Sequence, residues 1–170
     1  MFREDFVRRM VEQAVTAVTT ILGLTRLARY PEALSEVDGA LQRLLGLRLS
    51  LVAGLPASEL VAMLRWGEKP DVGKLVVLAE LLQAEGDIYA AQKRMGETQA
   101  RYLKALELLL EVAFESDHNL AAVQPWVAAL QQRLDTAGMP AELAEWLAHY
   151  MVVVTAAATG AALPAQTASE

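Results

Sequence analysis

The sequence predicts an all-α domain built as a stack of helical hairpins, and three observations point there. Apolar residues recur at three-to-four spacing over most of the chain, which gathers them on one face of successive helices. No segment sustains the alternation of a half-buried strand, and Asp38-Gly39, the one turn pair of the β-hairpin type, falls inside a helical pattern. The composition is 54% apolar but only 6% aromatic, so the core must be mostly Leu, Val and Ala, which suits helix-on-helix packing.

The first helix is predicted from Phe2 to about Leu24, with Phe6, Met10, Ala14, Val18 and Ile21 among its buried positions. Tyr30-Pro31-Glu32 opens the second, because proline fits a first turn where no amide donor is required, and Gly46 can close it in a left-handed cap. Ala33, Leu34, Val37, Ala40 and Leu41 supply its apolar stripe. Over 47–70 the pattern loosens, and Gly54, Pro56, Gly67 and Pro70 flank one short helix, Ala57 to Leu64, so this stretch reads as an insertion. Asp71 can cap the next long helix, which runs to about Arg94, with Met95-Gly96 as the turn. Glu97 to Phe114 has the strongest helix propensity, and Glu115 to Asn119 breaks it. A third hairpin follows over 120–137 and 140–158, with Gly138 between its arms, Pro140 opening the second and Pro125 kinking or restarting the first. After Thr155 the Ala/Thr-rich sequence is expected to fray, leaving a flexible tail over 159–170. The expected domain is therefore single, over 1–158, with hairpins at about 2–46, 71–115 and 120–158, making about six long helices plus one short helix.

A formal charge of −6 and a pI near 5.0 argue against nucleic acid as a partner, since phosphates require a clustered cationic face. The local cluster of Arg3, Arg8 and Arg9 is interleaved with Glu4, Asp5 and Glu12. The absence of cysteine excludes disulfides, thiolate metal sites and Cys nucleophiles, and it suits a reducing cytoplasm. The N-terminus lacks a secretory pattern. Trp146 to Ala165 approaches the length of a membrane span, but His149, Tyr150, Gly160 and Pro164 interrupt it. A last helix and tail are expected there, and no membrane partner.

Two segments, 14–46 and 79–112, carry the small/large spacing of a tetratricopeptide unit. In the second, Gly86, Thr98 and Ala105 occupy small positions, while Leu82, Tyr89 and Tyr102 occupy large ones. In the first, Tyr30, Ala33, Val37 and Ala40 match the second-helix half, but Ile21 and Leu24 replace the first-helix signature. Ala40 and Ala105 lie 65 positions apart, close to two periods of about 34, so the insertion stands where a middle repeat would be. The chain thus resembles a tetratricopeptide-like protein. With its opening Met-Phe-Arg-x-Asp-Phe and the Tyr-Leu-Lys-Ala-Leu-Glu-Leu run at 102–108, it also resembles an uncharacterised bacterial family of that kind. The resemblance implies a right-handed stack and a non-enzymatic trade in protein binding, with no named partner.

In such repeats the first helix of each unit lines the concave face, so the resemblance assigns Glu80, Gln83, Asp87 and Ala90 of the second unit to a partner-binding face. These residues lack the Lys, Arg and Asn that clamp a peptide carboxylate, and a basic or amphipathic segment is the compatible partner. The corresponding Val15, Val18 and Leu22 of the first unit are too apolar to stand bare as a patch. Either the insertion at 47–66 or a second copy of the chain is expected to cover them.

No catalytic constellation is legible. Gly67 to Leu75 has five residues between its glycines where a phosphate-binding loop has four, and Leu75 stands in place of Ser or Thr. Glu115 and His118 have the spacing of helical carboxylate metal sites, with Glu145 and His149 as a second, differently spaced pair. A di-metal bundle needs two matching pairs and two further glutamates, so a metalloprotein or metal-dependent enzyme is the alternative reading rather than the preferred one. No cofactor is expected. Trp66, Trp126 and Trp146 are expected to anchor packing at hairpin junctions.

Overall fold

The computed structural model describes residues 2–160. Within them the chain forms α1 (Phe2–Arg26), α2 (Tyr30–Leu45), α3 (Leu49–Gly54), α4 (Ala57–Met63), the two-residue strands β1 (Arg65–Trp66) and β2 (Lys69–Pro70), then α5 (Val72–Ala91), α6 (Met95–Ala113), α7 (Asp117–Arg133) and α8 (Ala141–Thr159). A single 3₁₀ turn over Thr136–Gly138 separates the last two. The all-α expectation holds, with six long helices. The insertion contributes two short helices instead of one, together with an antiparallel hairpin that pairs Arg65 with Pro70 and Trp66 with Lys69. Two residues per strand are too few to display alternation, so no periodic signal could have revealed it.

Helix α5 is the centre of the molecule. It packs against α1, α2, α6 and α7, and Leu75, Val77, Leu78, Leu81, Leu82 and Ile88 are buried around most of its circumference. A helix that is apolar on all sides is the expected solution when neighbours cover it on all sides. Its start is fixed by Asp71, whose side chain accepts from the Lys74 amide at 3.2 Å. Helix α2 ends as expected in Gly46 at φ 68, whose N–H reaches back to the carbonyls of Gln42 and Leu41.

The turns between long helices differ from expectation. Helix α6 begins at Met95, and the reversal is made by Lys93 at φ 61 rather than by Gly96. The Arg94 N–H bonds the Tyr89 carbonyl at 2.9 Å and the Lys93 N–H bonds that of Ala90 at 2.9 Å, which is the paired closure of a Schellman cap. Ala28 at φ 57 closes α1 in the same way, with Arg29 N–H on Leu24 O and Ala28 N–H on Thr25 O. Lys93→Gly should therefore stabilise the fold by about 0.5 kcal/mol, the left-handed cost of about 1–2 kcal/mol less the extra entropy that glycine loses on folding. Urea unfolding of the variant beside the parent checks it.

The break after α6 is shorter than expected, because Ser116 caps α7 through the Asn119 amide at 3.2 Å. The Asn119 side chain in turn donates to the carbonyl of Val112 at 3.1 Å, which also accepts from the Glu115 N–H at 3.2 Å. Helix α7 passes through Pro125 without a break. Helix α8 stays helical to Thr159, beyond the predicted point of fraying, and closes on Gly160 at φ 67. Residues 161–170 of the expected tail lie outside the described residues.

Candidate functional site

The first arms of the three hairpins, α1, α5 and α7, lie side by side and form a groove. Their contacts advance together. A Cβ added at Gly73 would lie 2.5 Å from Val7 Cγ1 and Val18 and Leu22 line one cavity with Glu80 and Asp87, while Glu80 meets Trp126 and Asp87 meets Arg133, so the three helices run in the same direction. The lower part of the groove is a cavity of about 580 Å³ that includes Arg8, Asp71, His118 and Trp126 in its walls. The upper part, about 260 Å³, is lined by Val18 and Leu22 of α1, by Glu80, Gln83 and Asp87 of α5, and by Trp126 and Arg133 of α7. Trp126 belongs to both, which makes the groove continuous.

The expected partner-face residues and the expected apolar groove residues thus converge on one surface, except at two positions. Ala90 does not line the groove, and neither does Val15, which is 51% exposed on α1. The insertion is not what fills it. Helix α3 packs on α2 and α4 packs on α6, and Lys104 of α6 clamps the segment by donating its Nζ to the carbonyls of Val52 at 2.9 Å and Ala53 at 3.0 Å. The Asp38 carboxylate holds the other end through the Leu49 amide at 2.8 Å. No residue of 47–66 lines the part of the groove where Val18 and Leu22 lie.

The acidic wall is also less bare than the sequence suggests, because α7 supplies counter-groups to it. Asp87 Oδ1 accepts from the Tyr102 hydroxyl and from Arg133 Nε at 3.2 Å. With its amide oxygen turned toward the guanidinium, Gln83 accepts from Arg133 Nη1 at 2.9 Å. Burial first, and then the Asp87 carboxylate, push the Tyr102 phenol well above its ordinary range. Glu80 stands apart. Its Oε1 accepts from Trp126 Nε1 at 2.7 Å, while Oε2 is buried with no donor. Desolvation raises its pKa, against the opposing effect of the Trp126 hydrogen bond.

Sequence reasoning missed Arg133 and gave Trp126 only a packing role. Trp126 does pack on the core, but its indole N–H is committed to the groove wall. Trp66 is no buried anchor, being 63% exposed on the β1–β2 hairpin. The residues weighed for metal are dispersed. Glu115 lies 3.7 Å from Arg65 in an ion pair, His149 stacks on Phe114 with ring centroids 5.2 Å apart, and His118 lies in the lower groove. Among the described residues no three His, Asp or Glu side chains come together as a set that could hold a metal ion.

Fold and groove define an all-α protein with an open helical groove and no helix long and apolar enough to cross a membrane among the described residues. Comparison with family models, with curated proteins and with solved structures returned no match.

Proposed function

We propose that this chain is a non-enzymatic protein-interaction module, a degenerate tetratricopeptide-like array whose α1–α5–α7 groove holds a basic amphipathic segment of another protein. Agreement between the first two hairpins at an offset of 65 positions supports the repeat assignment. Ala28 and Lys93 take the same left-handed conformation at the two turns, and the ion pairs Arg29–Glu32 and Arg94–Glu97 follow at the same distance along the chain. Ala33 and Ala40 correspond to Thr98 and Ala105, all buried small residues. The right-handed sense of the stack belongs to the same assignment, and the cysteine-free composition suits a cytoplasmic setting.

The observation that carries the binding proposal is Glu80 Oε2, a buried carboxylate oxygen without a donor beside the apolar Val18, Leu22 and Trp126. Such an oxygen costs about 1–3 kcal/mol while unpaired, and a turn of the Glu80 side chain toward the groove that it lines would let a Lys or Arg of a docked segment supply the missing donor. The apolar face of the same segment would cover Val18 and Leu22. A cationic ligand favours the ionised carboxyl, so affinity should fall as pH drops through the raised pKa of Glu80.

The test is fluorescence anisotropy with a labelled helical peptide of leucine and lysine at four-residue spacing, beside the same peptide with glutamate for lysine. The lysine peptide should bind and the glutamate peptide should not. Glu80→Gln should weaken binding about tenfold, or about 1.4 kcal/mol. Equal binding of both peptides, or indifference to Glu80→Gln, would sink the proposal.

A further inference from the structure

Helix α8 closes the last hairpin, and its outer surface is unlike that of the first. On α2 the exposed Arg43 is ion-paired with the half-buried Glu36 at 3.4 Å, part of the polar face that the end of a helical stack requires to stay in water. From Trp146 to Gly160, by contrast, α8 carries no Asp, Glu, Lys or Arg. Its inner side is held by Leu143, Leu147 and Tyr150, with the Tyr150 hydroxyl donating to the Leu120 carbonyl at 3.2 Å. Past that anchor the exposed side chains include Met151, at 40%, and Val152, at 49%. Beside this ridge α8 and α7 leave an open groove of about 430 Å³, walled by Leu120, Ala121, Val154 and Ala158 with Asp117 at one end.

We infer that this end of the molecule is a self-association surface, on which α8 of a second copy packs about a two-fold axis, each ridge at Met151–Val152 entering the α7–α8 groove of the other copy. Three features commit the surface to that occupant. With Asp117 the one charged residue lining the groove, a partner helix with several charges would bury most of them without a counter-charge, at a desolvation cost, whereas the Trp146–Gly160 stretch of a second copy brings none. A two-fold contact requires one patch to contain both the projection and the recess that receives it, and here the two are adjacent. The run Thr155-Ala-Ala-Ala-Thr159 has no large side chain to hold two helices apart at the close limit of helix packing, about 8 Å. This surface is separate from the α1–α5–α7 groove, so neither proposal depends on the other.

Light scattering across a concentration series tests it with the full chain. The expected mass is twice the 18.5 kDa of the chain, with a melting temperature that rises with concentration, as linkage of folding to dimerisation requires. Val152→Glu, at an exposed position, sets like charges near the axis and should return an 18.5 kDa species with unchanged helical circular dichroism. Because the natural chain has no cysteine, single replacements Val152→Cys and Thr155→Cys give a second readout. Mild oxidation should link at least one of them into a covalent dimer, while Val15→Cys on α1 should remain monomeric on a denaturing gel. A wild-type chain that stays monomeric at every concentration overturns the inference, as does a dimer that survives Val152→Glu or one that crosslinks through Val15→Cys instead.

Discussion

Gly86→Ala should destabilise the protein by about 1–3 kcal/mol, the usual cost of overpacking a filled core, although the same change in an open helix would stabilise it. Glycine inside a helix costs about 0.8–1 kcal/mol relative to alanine, so propensity alone favours the substitution. Packing opposes it. A Cβ at Gly86 would stand 2.5 Å from Tyr102 Cε1 and 2.7 Å from Cδ1, and the ring has nowhere to retreat. Its hydroxyl is bonded to Asp87, Arg133 holds Asp87 from the far side, and the residue is buried between α5 and α6. In a domain of this size the melting temperature should drop by about 2–4 °C for each kcal/mol. Gly23, with nothing within 4 Å of its added Cβ, is the control, and Gly23→Ala should raise stability by about 0.5–1 kcal/mol. In a Tyr102→Leu background the penalty at Gly86 should largely disappear, since the ring atoms that cause it are gone. A Gly86→Ala protein as stable as its parent would mean that the α5–α6 crossing is looser than described.

The second large effect is expected at Arg101. Glu85 is 1% exposed on the α5 face toward α6, and its Oε1 lies 2.9 Å from Arg101 Nε, whose side chain is 17% exposed. The contact is a buried ion pair, and the guanidinium and the Tyr89 side chain both interact with the Glu85 carboxylate. The Arg101 guanidinium also lies 5.7 Å from the Tyr89 ring centroid. Arg101→Met removes the guanidinium beside a buried carboxylate and should cost about 3 kcal/mol, at the lower end for a broken buried pair because the arginine keeps some contact with water and Lys104 and Tyr89 still interact with Glu85. Replacing both partners, Glu85→Leu with Arg101→Met, should recover most of that loss, since a buried pair contributes little against a well-packed apolar one. Urea unfolding of the two singles and the double closes the cycle. Additive losses in the double would show that the two side chains act separately.

Both sites illustrate what could be read in advance. Gly86, Tyr102 and Ala105 stood out because a small residue opposite a large one at helical spacing is a local pattern. The Gly46 cap, the Asp71 cap and the boundaries of α1 and α2 were legible for the same reason, as each depends on a few neighbouring residues. The turn at Lys93 was not, because Gly96 is the better turn former by intrinsic preference. The chain instead places a lysine in the left-handed region and closes two backbone hydrogen bonds around it. Propensity is a weak prior where such a closure and a packed hairpin act together. The location of the insertion was hidden too, since the Lys104 clamp on Val52 and Ala53 joins residues more than fifty positions apart.

By itself the sequence determined the all-α class and the six long helices, because helical periodicity is written in spacings of three and four, while Glu80, Gln83, Asp87, Val18 and Leu22 were singled out on first-helix faces by the repeat resemblance. Only the tertiary structure decided what those faces meet. Whether Asp87 stands bare or is held by Arg133, whether Glu80 keeps an oxygen without a donor, and whether α8 ends the molecule with an uncharged face depend on which distant helix lies alongside. That choice is made by the summed burial of the core and not by any local pattern.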